Sequence, residues 1–143
     1  MSDTQARAGC CESATACVFA KALLARQAQC ALAGRRQQAE RTLVECGSPV
    51  ARTNCSLLAA LLHERARFAL HLPPAGRPLM HQQALRLQCG GVTALQQVLD
   101  APCSDVHGLV GLAHERHGSL TDLPWDRLVT ALAAWQSPRR HAR

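Results

Sequence analysis

Apolar residues recur at spacings of three and four along almost the whole chain, and no stretch alternates as a strand would. This period is that of an α-helix that buries one stripe of its surface. Proline and glycine interrupt the pattern at residues 47–49, 73–78, 102 and 118. The sequence therefore predicts an all-α fold, a compact bundle of five to six helices joined by short linkers.

Gly90 and Gly91 lie in the middle of the fourth predicted helix. Because a glycine pair costs a helix about 2 kcal/mol relative to alanine, the pair predicts a kink or a close approach to the backbone. The six predicted helices span about residues 12–33, 35–46, 50–72, 78–101, 105–117 and 123–136.

The predicted bundle domain covers residues 12–136, between a flexible N-terminal segment, residues 1–11, and a basic C-terminal tail, residues 137–143. The start of the chain lacks the basic and apolar regions of a secretory signal, and no run of about 18 apolar residues spans a membrane. We therefore expect a cytoplasmic protein.

Eight of the 143 residues are cysteine. In a reducing compartment, this density indicates metal ligation or redox chemistry rather than a disulfide framework. The chain has no Cys-x-x-Cys pair and no ferredoxin-type cysteine run. Any site must therefore be assembled from several helices. The competing interpretation is packing, because free cysteine is among the most buried residue types.

Three cysteines form the core of the predicted ligand set. Cys46 ends one predicted helix and Cys55 lies in the second turn of the next, so their thiols should be within roughly 10 Å along the bundle axis. Cys89 is followed by Gly90 and Gly91, where the absence of side chains would let a bulky inorganic group approach the backbone.

The sequence leaves three candidates for the fourth ligand. A break of the first helix at Gly34 would bring Cys30 to the level of Cys89, whereas a continuous helix would favour Cys103, and Cys17 fits either arrangement. We adopt the break at Gly34, so the predicted metal ligands are Cys30, Cys46, Cys55 and Cys89.

Soft thiolate ligands select iron–sulfur clusters, Zn or Cu(I). An iron–sulfur cluster is the leading prediction, because the cysteines are dispersed and one of them adjoins a glycine pair; Zn and Cu(I) are the alternatives. The chain would then act in redox or electron transfer, or as an accessory to a larger protein or enzyme. It contains no His-Glu-x-x-His motif and no acid–base pair at useful spacing, so no enzymatic activity is predicted.

The alternative is a metal-free helical adaptor or chaperone that docks a larger protein partner. Trp125, Leu128, Leu132 and Trp135 share one face of the last predicted helix, which suits either a core or an interface. Nucleic acid is not an expected partner, since the chain has no Tyr, and its two Trp and two Phe give few stacking platforms.

Overall fold

The computed structural model describes residues 15–137. This part of the chain is mixed, with a helical core and one two-stranded antiparallel sheet, so the all-α prediction is wrong. The elements in chain order are α1 (Ala20–Leu24), β1 (Ala33–Gln38), β2 (Arg41–Cys46), α2 (Pro49–Leu70), α3 (His81–Leu99), α4 (Val106–His117), a 3₁₀ turn (Leu120–Asp122) and α5 (Trp125–Ala134).

The first predicted helix, residues 12–33, is reduced to the five residues of α1. Arg26 takes a left-handed conformation with φ 62° directly after it. The amide of Arg26 donates to the Leu23 carbonyl at 3.0 Å and that of Gln27 to the Ala22 carbonyl at 3.0 Å. This pair of bonds is a Schellman motif, which ends a helix. The sequence does not indicate this motif, because Arg26 occupies the position that glycine usually takes.

A β-hairpin replaces the second predicted helix, residues 35–46. The strands are paired along their whole length, with Ala33 opposite Cys46, and Ala39 and Glu40 form the connecting loop. Ala39 has φ 57°. A positive φ at the first of two loop positions is the geometry of a type II′ turn, whose twist matches that of the flanking strands.

Long-range contacts stabilise this hairpin, because an isolated two-stranded hairpin is marginal in water. Residues 15–17 lie along the free edge of β2. The Cys17 amide donates to the Val44 carbonyl at 2.9 Å, and the Cys46 amide donates to the Thr15 carbonyl at 2.7 Å. Val44 is only 3% exposed. The buried edge therefore overrides the helical preference of this segment.

We expect Ala39→Gly to raise the free energy of unfolding by about 0.5–1 kcal/mol, because a left-handed conformation strains an alanine and not a glycine. Urea titration followed by circular dichroism measures the change. Glu40→Gly is the matched control at the neighbouring loop position and should give no gain, since positive φ among the non-glycine residues of this loop is confined to Ala39. Equal effects of the two substitutions would contradict the turn geometry.

The helical core was predicted correctly. Ser48 caps α2 by accepting from the Ala51 amide at 3.2 Å, with Pro49 in the first turn. Asp105 caps α4 by accepting from the Gly108 amide at 3.3 Å. These caps explain why the predicted starts of the two helices lie within a residue of the observed ones.

The glycine pair in α3 marks a close approach of neighbouring helices. The helix is continuous from His81 to Leu99. A Cβ atom at Gly91 would lie 2.7 Å from Leu62 Cδ1, and one at Gly90 would lie 3.3 Å from Trp135 Cβ. Protein side chains of α2 and of the segment after α5, rather than an inorganic group, therefore occupy the space that the missing side chains leave.

Two groups of predictions lie outside residues 15–137. These are the flexible segment at residues 1–11, which contains Cys10 and Cys11, and all but the first residue of the basic tail at residues 137–143. Within the described part, no helix combines the length and the apolar character needed to cross a membrane.

Candidate functional site

Four free cysteines from separate parts of the chain line one small cavity. The volume of this cavity is about 10 Å³. A cavity of this volume holds one water molecule or one ion. The cavity lies between the edge segment (residues 15–17, which pair with β2), the loop before β1, the end of β2 and the starts of α2 and α4. Its cysteines are Cys17, Cys30, Cys46 and Cys55.

Strand pairing positions two of these thiols. Ala16 is bridged to Glu45 in antiparallel register, which places Cys17 beside Val44. Because side chains two residues apart on a strand share a face, Val44 and Cys46 lie on the same side as Cys17. The edge segment thus carries Cys17 onto the cavity side of the hairpin.

The other two thiols belong to a tethered loop and to a helix. Cys30 follows Gln29, whose amide donates to the Ser104 carbonyl at 3.1 Å and whose carbonyl accepts from the Val106 amide at 2.8 Å. These bonds fix the loop against the start of α4. Cys55 lies in the second turn of α2, so the capped start of that helix sets its position.

Arg52 lies in the first turn of α2 and also lines the cavity. Its Nε donates to the Ala16 carbonyl at 2.6 Å. This bond joins α2 to the edge segment that carries Cys17. Burial raises the pKa of Cys17, and the guanidinium group offsets a small part of that rise.

Burial dominates the electrostatics of two of the thiols, Cys55 and Cys17. It is the largest cause that raises the pKa of Cys55 to about 12, and the nearby Cys30, Cys17 and Cys46 raise that pKa further. Burial also raises the pKa of Cys17, with added repulsion from Cys30 and Cys46. Reactive cysteines have lowered pKa values instead. Cys17 and Cys55 are therefore neutral thiols near pH 7, and a cation in the cavity would favour their thiolates.

One thiol of the cavity is engaged as a hydrogen-bond donor. The Cys46 thiol donates to the Ser48 carbonyl at 3.3 Å. As the side chains stand, residues 15–137 contain no group of three or more His, Cys, Asp or Glu side chains arranged to hold a metal ion. Metal binding at the four cysteines would therefore require the thiols to lose their protons and turn toward a common centre.

Three of the four predicted ligands, Cys30, Cys46 and Cys55, are brought together, and the fourth is not. Cys89 is 0% exposed within α3 and does not line the cavity; burial raises its pKa. Cys17 takes the remaining place in the cavity wall.

Cys103, the other alternative for the fourth ligand, is exposed and is not part of the cavity lining. Its sulfur accepts a hydrogen bond from the Asp105 amide at 3.4 Å. This local contact ties Cys103 to the cap of α4 rather than to the other thiols.

His107 is a cavity-lining residue that the sequence analysis missed. It stands far from every cavity cysteine along the chain, and no metal-ligand spacing links it to them. The only signal in the sequence was a histidine next to the predicted helix cap, which is a weak one.

The geometry of the thiol cavity must carry the functional argument alone. Comparisons of the chain with protein-family models, with curated proteins and with solved structures found no match.

Proposed function

We propose that this protein binds one thiophilic metal ion through Cys17, Cys30, Cys46 and Cys55. The observation that carries the proposal is that four thiols from four segments line a single cavity. Four thiolates around one ion form the tetrahedral set typical of structural zinc sites. Zn²⁺ and Cu(I) are the ions that such soft ligands favour.

The size of the cavity favours a single ion over an iron–sulfur cluster. Its volume of about 10 Å³ accommodates one small sphere, whereas a cluster contains several iron and sulfide atoms. A cluster would therefore have to push the cavity walls apart. Since Phe19 and Val106 in these walls are 1% and 2% exposed, that expansion would disturb the packed core.

Charge balance gives Arg52 a role in the proposed site. Each of the four thiols loses its proton on binding, so that one Zn²⁺ releases four protons and the complex carries a net charge of −2. Arg52 in the cavity wall offsets part of this charge. The same side chain keeps the segment that carries Cys17 attached to α2.

A site closed by four thiolates leaves no position for a catalytic water. The proposed ion therefore acts as a cross-link or as cargo, and the protein serves as an accessory or metal-handling protein rather than as an enzyme. A reducing, cytoplasmic location would keep the thiols available, and a larger protein remains the proposed partner.

The second candidate function, a metal-free adaptor, has one observation in its favour. Val50 and Phe68 are 73% and 82% exposed, and Leu57 is 44% exposed. Their spacings of seven and eleven residues place all three on one stripe of α2. Such a stripe suits a protein partner.

Metal content tests the leading proposal. Protein purified without oxygen and loaded with Zn²⁺ or Co²⁺ should hold one ion per chain after desalting, by plasma mass spectrometry. Cys17→Ser and Cys55→Ser should each lower the affinity by at least about tenfold. Cys103→Ser is the matched control and should keep full loading, because this exposed thiol lies outside the cavity.

Three results would contradict the proposal of a single bound ion. A folded wild-type protein that retains no ion would favour the adaptor instead. Iron and sulfide in the purified protein would replace the single ion by a cluster. Full loading and unchanged affinity of both cavity variants would move the site elsewhere in the chain.

A further inference from the structure

His107 is an exposed residue in the wall of the thiol cavity. Eleven residues line the cavity, and His107 alone among them is exposed. The four cysteines of the cavity are partly buried. Among the potential metal ligands of the cavity wall, His107 therefore has the greatest access to solvent.

Backbone pairing fixes the segment of the chain that carries His107. Gln29 forms a parallel bridge with Asp105. Cys30 comes directly after the bridge on one segment, and His107 comes two residues after it on the other. Asp105 itself is engaged as the cap of α4, where its carboxylate accepts from the Gly108 amide at 3.3 Å. His107 is thus the side chain of the first turn of α4 that combines a metal-binding nitrogen with a place in the cavity wall.

We infer that His107 is a transfer ligand, which binds the incoming ion first and passes it to the four thiols. This inference rests on the proposed function. Imidazole binds both Zn and Cu ions. The exposed imidazole binds an ion through a nitrogen lone pair, whereas each partly buried thiol binds it as a thiolate and releases a proton. In the transfer, metal–nitrogen bonding is exchanged for metal–sulfur bonds, and each thiol proton goes to solvent.

The rate of metal transfer tests the inference. Stopped-flow absorbance follows the uptake of Co²⁺ and the removal of the bound ion by an excess of a chromogenic chelator. His107→Gln should slow both steps by about tenfold, with the same final loading of one ion per chain. His107→Cys should restore fast transfer, since it returns a ligand to the same place. His117→Gln, on the same helix and outside the cavity lining, should behave as wild type.

The outcomes separate the inference from the proposed function. If wild type takes up no Co²⁺, the metal site itself is refuted and His107 has no ion to transfer. If wild type loads one ion and His107→Gln transfers it at the wild-type rate, only the role of His107 is refuted. Slow transfer by both the Gln and the Cys variants would indicate an effect on structure and would likewise overturn the ligand role.

Discussion

Trp125→Ala is expected to lower the free energy of unfolding by about 3–5 kcal/mol, the usual cost of removing a buried tryptophan. Trp125 is 6% exposed, and its indole Nε1 donates to the Leu120 carbonyl at 3.1 Å. The Arg65 guanidinium lies 5.5 Å from the ring centroid. The substitution removes the packing, the hydrogen bond and the cation–π contact together. Urea titration followed by circular dichroism measures the loss.

Two further variants separate these contributions. Trp125→Phe keeps a ring but removes the indole N–H, so it should cost about 1–3 kcal/mol, the range for leaving a buried carbonyl without its partner. Trp135→Ala should cost less than Trp125→Ala, because Trp135 follows the end of α5 and is only partly buried. A loss below about 1 kcal/mol for Trp125→Ala would contradict its place in the core.

The helical core was predictable because its signals are local and agree with one another. Leu128 and Leu132, one turn apart on α5, are both 0% exposed. The apolar stripe thus identified the buried face of that helix without any knowledge of its neighbours. The same holds for α2 and α4, whose caps and flanking proline or glycine stand beside the stripes.

The hairpin was not predictable in the same way, because two periods fit its sequence. Ala39, Leu43 and Cys46 have helical spacing, whereas Thr42, Val44 and Cys46 alternate. Three alternating positions are a weak signal. The pairing of residues 15–17 with β2 favours the strand over the helix. A local sequence pattern does not predict this contact, because the two segments are far apart in the chain.

The candidate site depends on that same pairing. Cys46 and Cys55 were expected to be close because one short corner joins them, and that reasoning is local. Cys17 reaches the cavity only through the edge segment, whereas Cys89 was selected for its neighbouring glycines. Those glycines instead allow Leu62 and Trp135 to approach α3. A glycine pair next to a cysteine therefore fits either a metal site or the close packing of neighbouring segments, and only the packing of the fold distinguishes the two.

Zn²⁺ should stabilise the protein by about 2.7 kcal/mol at a free concentration of 100 times Kd, and by about 4.1 kcal/mol at 1,000 times Kd. The ion would join the edge segment, the loop before β1, the hairpin and α2, so unfolding must release it. Thermal and urea unfolding with buffered Zn²⁺ measure the gain. Cys55→Ser should abolish most of the gain, and Cys103→Ser should keep it.

The pH dependence of this gain has a definite sign. Binding displaces thiol protons, so at fixed Zn²⁺ the gain should decrease as the pH is lowered from about 8 to about 6. The raised pKa of Cys55, about 12, and that of Cys17 strengthen this competition. In the metal-free protein, folding raises the pKa of Cys55 from the ordinary thiol value of 9.0 to about 12. The contribution of this thiol to the free energy of unfolding is therefore fully present below pH 9.0 and is lost as the pH rises toward about 12. The contribution of this thiol to the metal-free protein is therefore constant between about pH 6 and 8. A Zn²⁺-dependent gain that grows toward acid would contradict thiolate ligation.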